Sequence, residues 1–234
     1  MNKTIHAAAL GAAVCSFQVG ADTLVLKEGV DGYTGTLIMA IGSGGPDGSF
    51  FGDALSVDQD TGDYGNDGIG QVLLRFGGLF GPGGALHGAT VHSASLRTAT
   101  GSSTDGPVGI FRMLVDWNEA STWNTLGDGV GVLVETAVAD AQFANIDNPG
   151  TLDWDVTASL QAWAAGAADH GWVFDNASGD GWDLFTDLAS EALRPQLTVD
   201  YTPAPVPVPA AAWLLGSAAC MLGGRRRSAH QGKC

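Results

Sequence analysis

Between Ala21 and Val206 the chain has no cysteine; its three thiols are Cys15, Cys220 and Cys234. No disulfide framework, thiol nucleophile or zinc-thiolate site can therefore be built in that central segment. Basic residues are nearly as scarce there. All 25 acids of the chain fall in the segment against five bases, Lys27, Arg75, Arg97, Arg112 and Arg194, which leaves it at −20. A nucleic-acid binder is excluded, because phosphate contacts need a basic groove or stripe.

Catalytic signatures are missing as well. There is no Gly-x-Ser-x-Gly turn and no His-Glu-x-x-His pair. Gly42-Ser43-Gly44 and Gly127-Asp128-Gly129 lack the third glycine or the lysine of a phosphate-binding loop. His87, His92 and His170 are isolated from one another in the central segment, and a lone strand histidine such as His92 is read as a surface or packed residue. Paired carboxylates could serve glycoside hydrolysis, but with 25 acids pairs are inevitable. Glu119, between Trp117 and Trp123, has the best chemical claim. The expectation is a protein without enzymatic activity, with a polysaccharide hydrolase or lyase as the remote alternative.

What is abundant points to strands. The chain has 35 glycines and six of its tryptophans in the central segment, enough turn formers and apolar bulk for one core-bearing domain. Period-two alternation runs through Gln196–Tyr201 and Ile110–Val115. Short apolar runs at Leu24–Leu26, Leu37–Ile41, Val72–Phe76, Val132–Val134 and Trp172–Phe174 predict further strands between Gly, Asp, Asn, Pro and Ser clusters. Only Val156–Ala168 has helical spacing, with Thr157 or Asp155 available as a cap. Many short strands with one short helix predict an all-β fold, an antiparallel β-sandwich.

The two ends differ from the middle. Residues 1–21 read as a signal peptide: Lys3, the apolar run Ala7–Val14 and the small-residue site Val19-Gly20-Ala21. At the other end, Val206-Pro207-Val208-Pro209-Ala210 precedes an apolar stretch and then Arg225-Arg226-Arg227. From Val208 to Gly224 the apolar run has 17 residues, the lower limit for a spanning helix, and the arginines would hold its end in the cytoplasm. The expected organisation is a signal peptide (1–21), a β-sandwich (22–202), a Pro-rich linker and sorting motif (203–209), a transmembrane helix (210–224) and a basic cytoplasmic tail (225–234).

This tail resembles the PEP-CTERM sorting signals in their Val-Pro-x-Pro-Ala variant, with Val208 where leucine is usual and Ser228–Cys234 extending past the arginines. The resemblance implies recognition of Val206, Pro207, Val208, Pro209, Ala210, Arg225, Arg226 and Arg227 by an exosortase. It also implies export to the cell surface or extracellular matrix of a Gram-negative, exopolysaccharide-making bacterium, with the membrane as a partner through the C-terminal helix before processing.

The central segment carries a second resemblance. Leu73-Leu74-Arg75-Phe76 and Gly88–Leu96 are followed in order by Trp117–Asn124, by Asp155-Val156-Thr157 leading to Trp163, and by Arg194-Pro195-Gln196-Leu197. Together these resemble the DNRLRE family of secreted bacterial domains over nearly all of Asp22–Thr202. The family implies a jelly-roll-like sandwich, in some members a carbohydrate-binding module for acidic polysaccharides. Gly77-Gly78 stands where the family usually has an aspartate, which leaves the ligand open.

Two kinds of site are expected on this frame. Oxygen-rich stretches at Asp47–Asp67 and Asp175–Asp183 offer the hard ligands of a structural calcium, with Asp58, Asp60, Asp63 and Asp67 as ligands and a solvated acidic surface as the plainer reading. Asp22 joins that set because sandwiches related by the resemblance often hold an ion at that edge. For sugar contact, Trp117, Trp154, Trp163 and Trp172 are read as core, while Trp182 and Tyr64 sit in loop-like stretches and are the ligand-binding candidates. The expected partner is an extracellular polysaccharide, neutral or, through calcium, acidic; the alternative is a purely structural matrix or biofilm protein without a glycan site.

Overall fold

The computed structural model describes residues 20–61, 68–126 and 139–205. In chain order the elements are β1 (Asp22–Lys27), β2 (Thr36–Gly42), β3 (Ala54–Thr61), β4 (Gly68–Phe76), β5 (Thr90–Thr100), β6 (Val108–Arg112), β7 (Ala141–Phe143) and β8 (Gly150–Asp155). Then follow α1 (Thr157–Ala164), β9 (Trp172–Asn176), β10 (Trp182–Phe185), a single 3-10 turn (Glu191–Leu193) and β11 (Gln196–Thr202). All belong to the unit that ends at Ala204.

The strands form two antiparallel sheets. The smaller has the order β1-β11-β5-β8; the larger runs β10-β3-β4-β9-β6-β7, with β2 on the opposite edge of β4. Alternation aims one face of each sheet at a shared core. Leu197, Val199, Leu96 and Trp154 from the smaller sheet meet Val57, Val72, Leu74, Ile110, Trp172, Phe174 and Trp182 from the larger one. Burying each large side chain of this kind contributes roughly 1.5–3 kcal/mol, so this core dominates the stability. The arrangement is that of an all-β fold with one short helix, consistent with a β-sandwich.

The unbroken apolar runs of β2, β4 and β9 have their own cause. Ile38, Ala40, Val72, Leu74, Trp172 and Phe174 face the shared core, whereas Met39, Ile41, Leu73 and Val173 face outward into a second cluster with Met113, Trp117, Trp123 and Leu126. Strands buried on both faces lose the polar half of the alternation.

Several expectations change. β6 stops at Arg112 and not at Val115: Met113 N still donates to Gly171 O (2.9 Å), but past it the chain leaves the sheet to cross its outer face, where Met113, Trp117, Trp123 and Leu126 are buried. The helix ends at Ala164, short of Ala168, because Gly166 takes a left-handed φ of 106°. Val156 holds the N-cap position without a side-chain cap bond, and Asp155 Oδ1 just ahead of it accepts from Thr157 N (3.0 Å). The stretch Asp47–Asp67, read as an acidic loop, contains β3, and Asp175–Asp183 contains the end of β9 and the start of β10. The strand expected at Val132–Val134 lies outside the described residues, as do residues 1–19 of the signal peptide and the sorting motif, spanning helix and basic tail from Val206 onward.

Candidate functional site

The outer face of the smaller sheet is polar and ordered by strand register. One row across it is Thr23, Asp200, Ser93; the next is Val25, Thr198, Ser95, Asp155; a third is Lys27, Gln196, Arg97, Asp153. Neighbouring strands lie roughly 4.8 Å apart and alternate residues roughly 6.6–6.8 Å apart along a strand, so the rows form a grid of hydroxyls, amides and charges. A cleft of about 340 Å³ opens on this grid, lined by Ser93, Ala94, Ser95, Asp153, Asp155, Thr157, Thr198 and Asp200.

The carboxylates of the cleft are individually held. Asp200 accepts from the hydroxyls of Thr23 (2.7 Å) and Ser93 (3.0 Å), and these bonds hold its carboxyl below the ordinary range. Asp155 is likewise lowered, by the hydroxyl and the backbone N–H of Thr157. Asp153 is bridged by Arg97 in bidentate fashion, Nε to Oδ1 at 2.8 Å and Nη2 to Oδ2 at 3.1 Å. Asp155 and Asp200 thus stay ionised with hydroxyl and N–H partners, while Asp153 carries a cation. Thr157 also ties the helix to the cleft wall, because its hydroxyl accepts from Ala94 N (2.9 Å).

Beside the start of the helix, Asp140 accepts from the Ser159 hydroxyl and from Trp172 Nε1 (2.9 Å). Burial raises its carboxyl, and the charge of Asp155 adds to the rise. Asp140 is absent from the cleft lining and serves to pin the helix to β9.

Trp182 is not a surface contact. It lies in β10 at 1% exposure, its ring 6.1 Å from that of Trp154 and 6.0 Å from that of Phe174. Alternation with Asp183 and Leu184 turns it inward, and a glycan cannot reach its face. Trp117, Trp154, Trp163 and Trp172 are buried, as expected. His92 is exposed in β5, its Nε2 bonded to Thr202 Oγ1 (2.7 Å), and Glu119 is exposed with its backbone carbonyl accepting from the Ser49 hydroxyl (3.0 Å).

The calcium set does not come together among the described residues. Asp22 begins β1 in the smaller sheet, whereas Asp58 is a buried residue of β3 in the larger one, its carboxylate packed directly on the backbone of Gly181 and accepting from Gln59 N (2.5 Å). Among the described residues no group of three His, Cys, Asp or Glu is placed to hold a metal. Tyr64, Asp63, Asp67 and the side chain of Asp60 lie outside those residues.

Sequence reasoning passed over the cleft residues themselves. Their signal was present in the alternation of β11, where Thr198 and Asp200 oppose Leu197 and Val199, but only the register shows which strands lie beside it. Compared with known proteins, the sequence matches no family model and no curated protein. The two resemblances rest on their motifs alone.

Proposed function

We propose that this chain is a non-catalytic, secreted protein of the bacterial surface or extracellular matrix whose jelly-roll-like sandwich binds polysaccharide along the outer face of β1-β11-β5-β8. The observation that carries the reading is the cleft of about 340 Å³ with Ser93, Ser95, Thr157 and Thr198 hydroxyls beside ionised Asp155 and Asp200. Sugar hydroxyls both donate and accept, so they pair with carboxylates that only accept and with serine and threonine hydroxyls that do either. The sequence charge of −20 between Ala21 and Val206 favours a neutral glycan, since an acidic polymer is repelled unless cations bridge it. The signal peptide and the exosortase-type tail supply the route across the inner membrane, with the exosortase as the processing partner.

The test is affinity electrophoresis of the purified protein through gels containing neutral or acidic polysaccharides, each with calcium and with a chelator. Retardation by a neutral glycan regardless of calcium is expected. Retardation only by an acidic glycan with calcium would move the site to an ion-bridged surface. Unchanged mobility in every gel would overturn glycan binding in favour of a purely structural matrix protein.

A further inference from the structure

The polar grid on the outer face of β1-β11-β5-β8 has one irregularity. Asp200 opposes Ser93 but Tyr201 opposes Val91, so the register slips between them and His92 is an extra residue in β5 with no counterpart in β11. A β-bulge of this kind re-aims a side chain. In an unbroken strand, the alternation that turns Ser93 outward would turn His92 toward the core. Here Val91 and Ala94 stay buried, while His92 and Ser93, neighbours in the chain, are both exposed.

The ring is held where the bulge puts it. His92 Nε2 lies 2.7 Å from Thr202 Oγ1. Tyr201 packs against the core, so Thr202 stands on the outward side of β11, two residues beyond Asp200. Ser93 and Asp200, hydrogen-bonded to each other at 3.0 Å, line the cleft. His92 and Thr202 therefore stand one row past that end of it. Asp153, opposite Arg97 on β8, marks the other end. From Arg97 to His92 the path along β5 is roughly 16 Å at 3.2–3.4 Å per residue.

What the cleft lacks is a flat surface. Its walls present hydroxyls, carboxylates and the methyl of Ala94, but no ring. A pyranose carries hydroxyls around its rim and C–H bonds on its faces. The rim pairs with the cleft's hydroxyls and carboxylates, whereas a face gains only by covering apolar surface. Ligand sites combine such surface, often aromatic, with a few placed polar groups. The exposed imidazole of His92 supplies the plane, and whichever tautomer its bond to Thr202 selects, Nδ1 keeps one donor or acceptor for a ligand hydroxyl.

We infer, resting on the glycan-binding reading of this cleft, that His92 is the platform of an end subsite and that the cleft takes a linear neutral oligosaccharide lying along β5 from Asp153 to the ring. Chain length is then the property the site discriminates. A single sugar can pair with the hydroxyls near Ser95 and Thr198, but only a chain reaches His92.

The test is affinity electrophoresis of the full chain in gels containing dextran, laminarin or galactomannan, followed by competition with oligosaccharides of increasing length cut from whichever polymer retards it. His92→Ala is expected to be retarded several-fold less than the unmodified chain, and His92→Trp at least as strongly as the unmodified chain, because the larger ring restores the face. Short oligosaccharides should displace the unmodified chain and His92→Ala equally. Long ones should compete several-fold better for the unmodified chain, and that gain with length should be absent from His92→Ala. Equal retardation of His92→Ala and the unmodified chain would overturn the subsite while leaving the cleft reading in place. A loss in His92→Ala that is the same at every length, or that His92→Trp fails to restore, would also overturn it, since a purely structural bond to Thr202 would act in that way. Free running of the unmodified chain in every gel would overturn the cleft reading and the subsite together. Should His92→Ala fail to fold, His92→Gln takes its place as a polar side chain without a ring: it is expected to lose the gain with length that His92→Trp keeps, and equal behaviour of the two would overturn the subsite.

Discussion

Two tryptophans at the centre of the core allow a clean comparison. Trp154 and Trp182 are 0% and 1% exposed, with rings 6.1 Å apart. Trp154 Nε1 donates to the buried Thr98 hydroxyl (2.9 Å), whereas Trp182 Nε1 is buried with no partner among the described residues. Replacing either by phenylalanine removes the same atoms and leaves a similar void, so the packing losses largely cancel when the variants are compared. The polar terms do not cancel. Trp154→Phe strips Thr98 of its buried donor, a loss of about 1–3 kcal/mol, while Trp182→Phe deletes an orphan donor and recovers part of a desolvation cost of similar size. Trp154→Phe should therefore be the less stable by roughly 2 kcal/mol or more. Trp182→Ala, which leaves a large void, should lose about 3–5 kcal/mol. The assay is urea unfolding of the three variants with their slopes compared. If Trp182→Phe proves as destabilising as Trp154→Phe at equal slope, the assignment of the two indoles is wrong.

Three further outcomes are expected. The Asp169 carboxyl titrates at about 6 in the folded protein against a reference of 3.8, so the native state takes up its proton first. Its stabilising contribution is complete below the reference value and is lost as pH rises through about 6; two units correspond to about 3 kcal/mol, a dependence that Asp169→Asn should remove from unfolding curves taken across that window. Gly171→Ala meets both a left-handed φ of 71° and the Leu74 carbonyl, and should cost well over 1 kcal/mol, whereas Gly32→Ala, with φ 82° and nothing within 4 Å, should cost only roughly 1–2 kcal/mol; thermal melts of the pair separate strain from collision. Mass spectrometry of the exported protein should find an N-terminus at Asp22 and loss of the segment beginning near Val206, and a mature form that keeps Arg225–Arg227 would refute processing of the tail.

The legible part of the fold was the part written in apolar periodicity. β1, β2, β4, β6, β9 and β11 coincide with apolar runs or alternation, because their inward residues are large and their neighbours break cleanly. β3 and β10 were hidden by their acids. In β3, Leu55 and Val57 do point inward, but Asp58 beside them is itself buried, and in β10 the flanking Asp180-Gly181 and Asp183 mask the Trp182/Leu184 pair. That masking also produced the wrong reading of Trp182 as a surface aromatic. The cleft was half legible: Thr198 and Asp200 stood out as outward positions, but their approach to Ser95, Asp155 and Thr157 depends on strand register across long sequence separations. The covering segment Met113–Leu126 was hidden because the alternation read through Val115 does not continue as a strand past Arg112, and what fixes the segment is the second apolar face of β2, β4 and β9.

The central claim, glycan binding on the outer face of the smaller sheet, is tested most directly by Thr198→Arg. Thr198 lines the cleft and stands between Val25 and Ser95 in the register, so an arginine there fills the cleft without touching the core. Gln142→Arg, on an exposed position of β7 in the other sheet, adds the same charge elsewhere. In a gel containing the retarding neutral polysaccharide, the account predicts that Thr198→Arg runs free while Gln142→Arg is held back as strongly as the unmodified chain. Equal retardation of all three would contradict it.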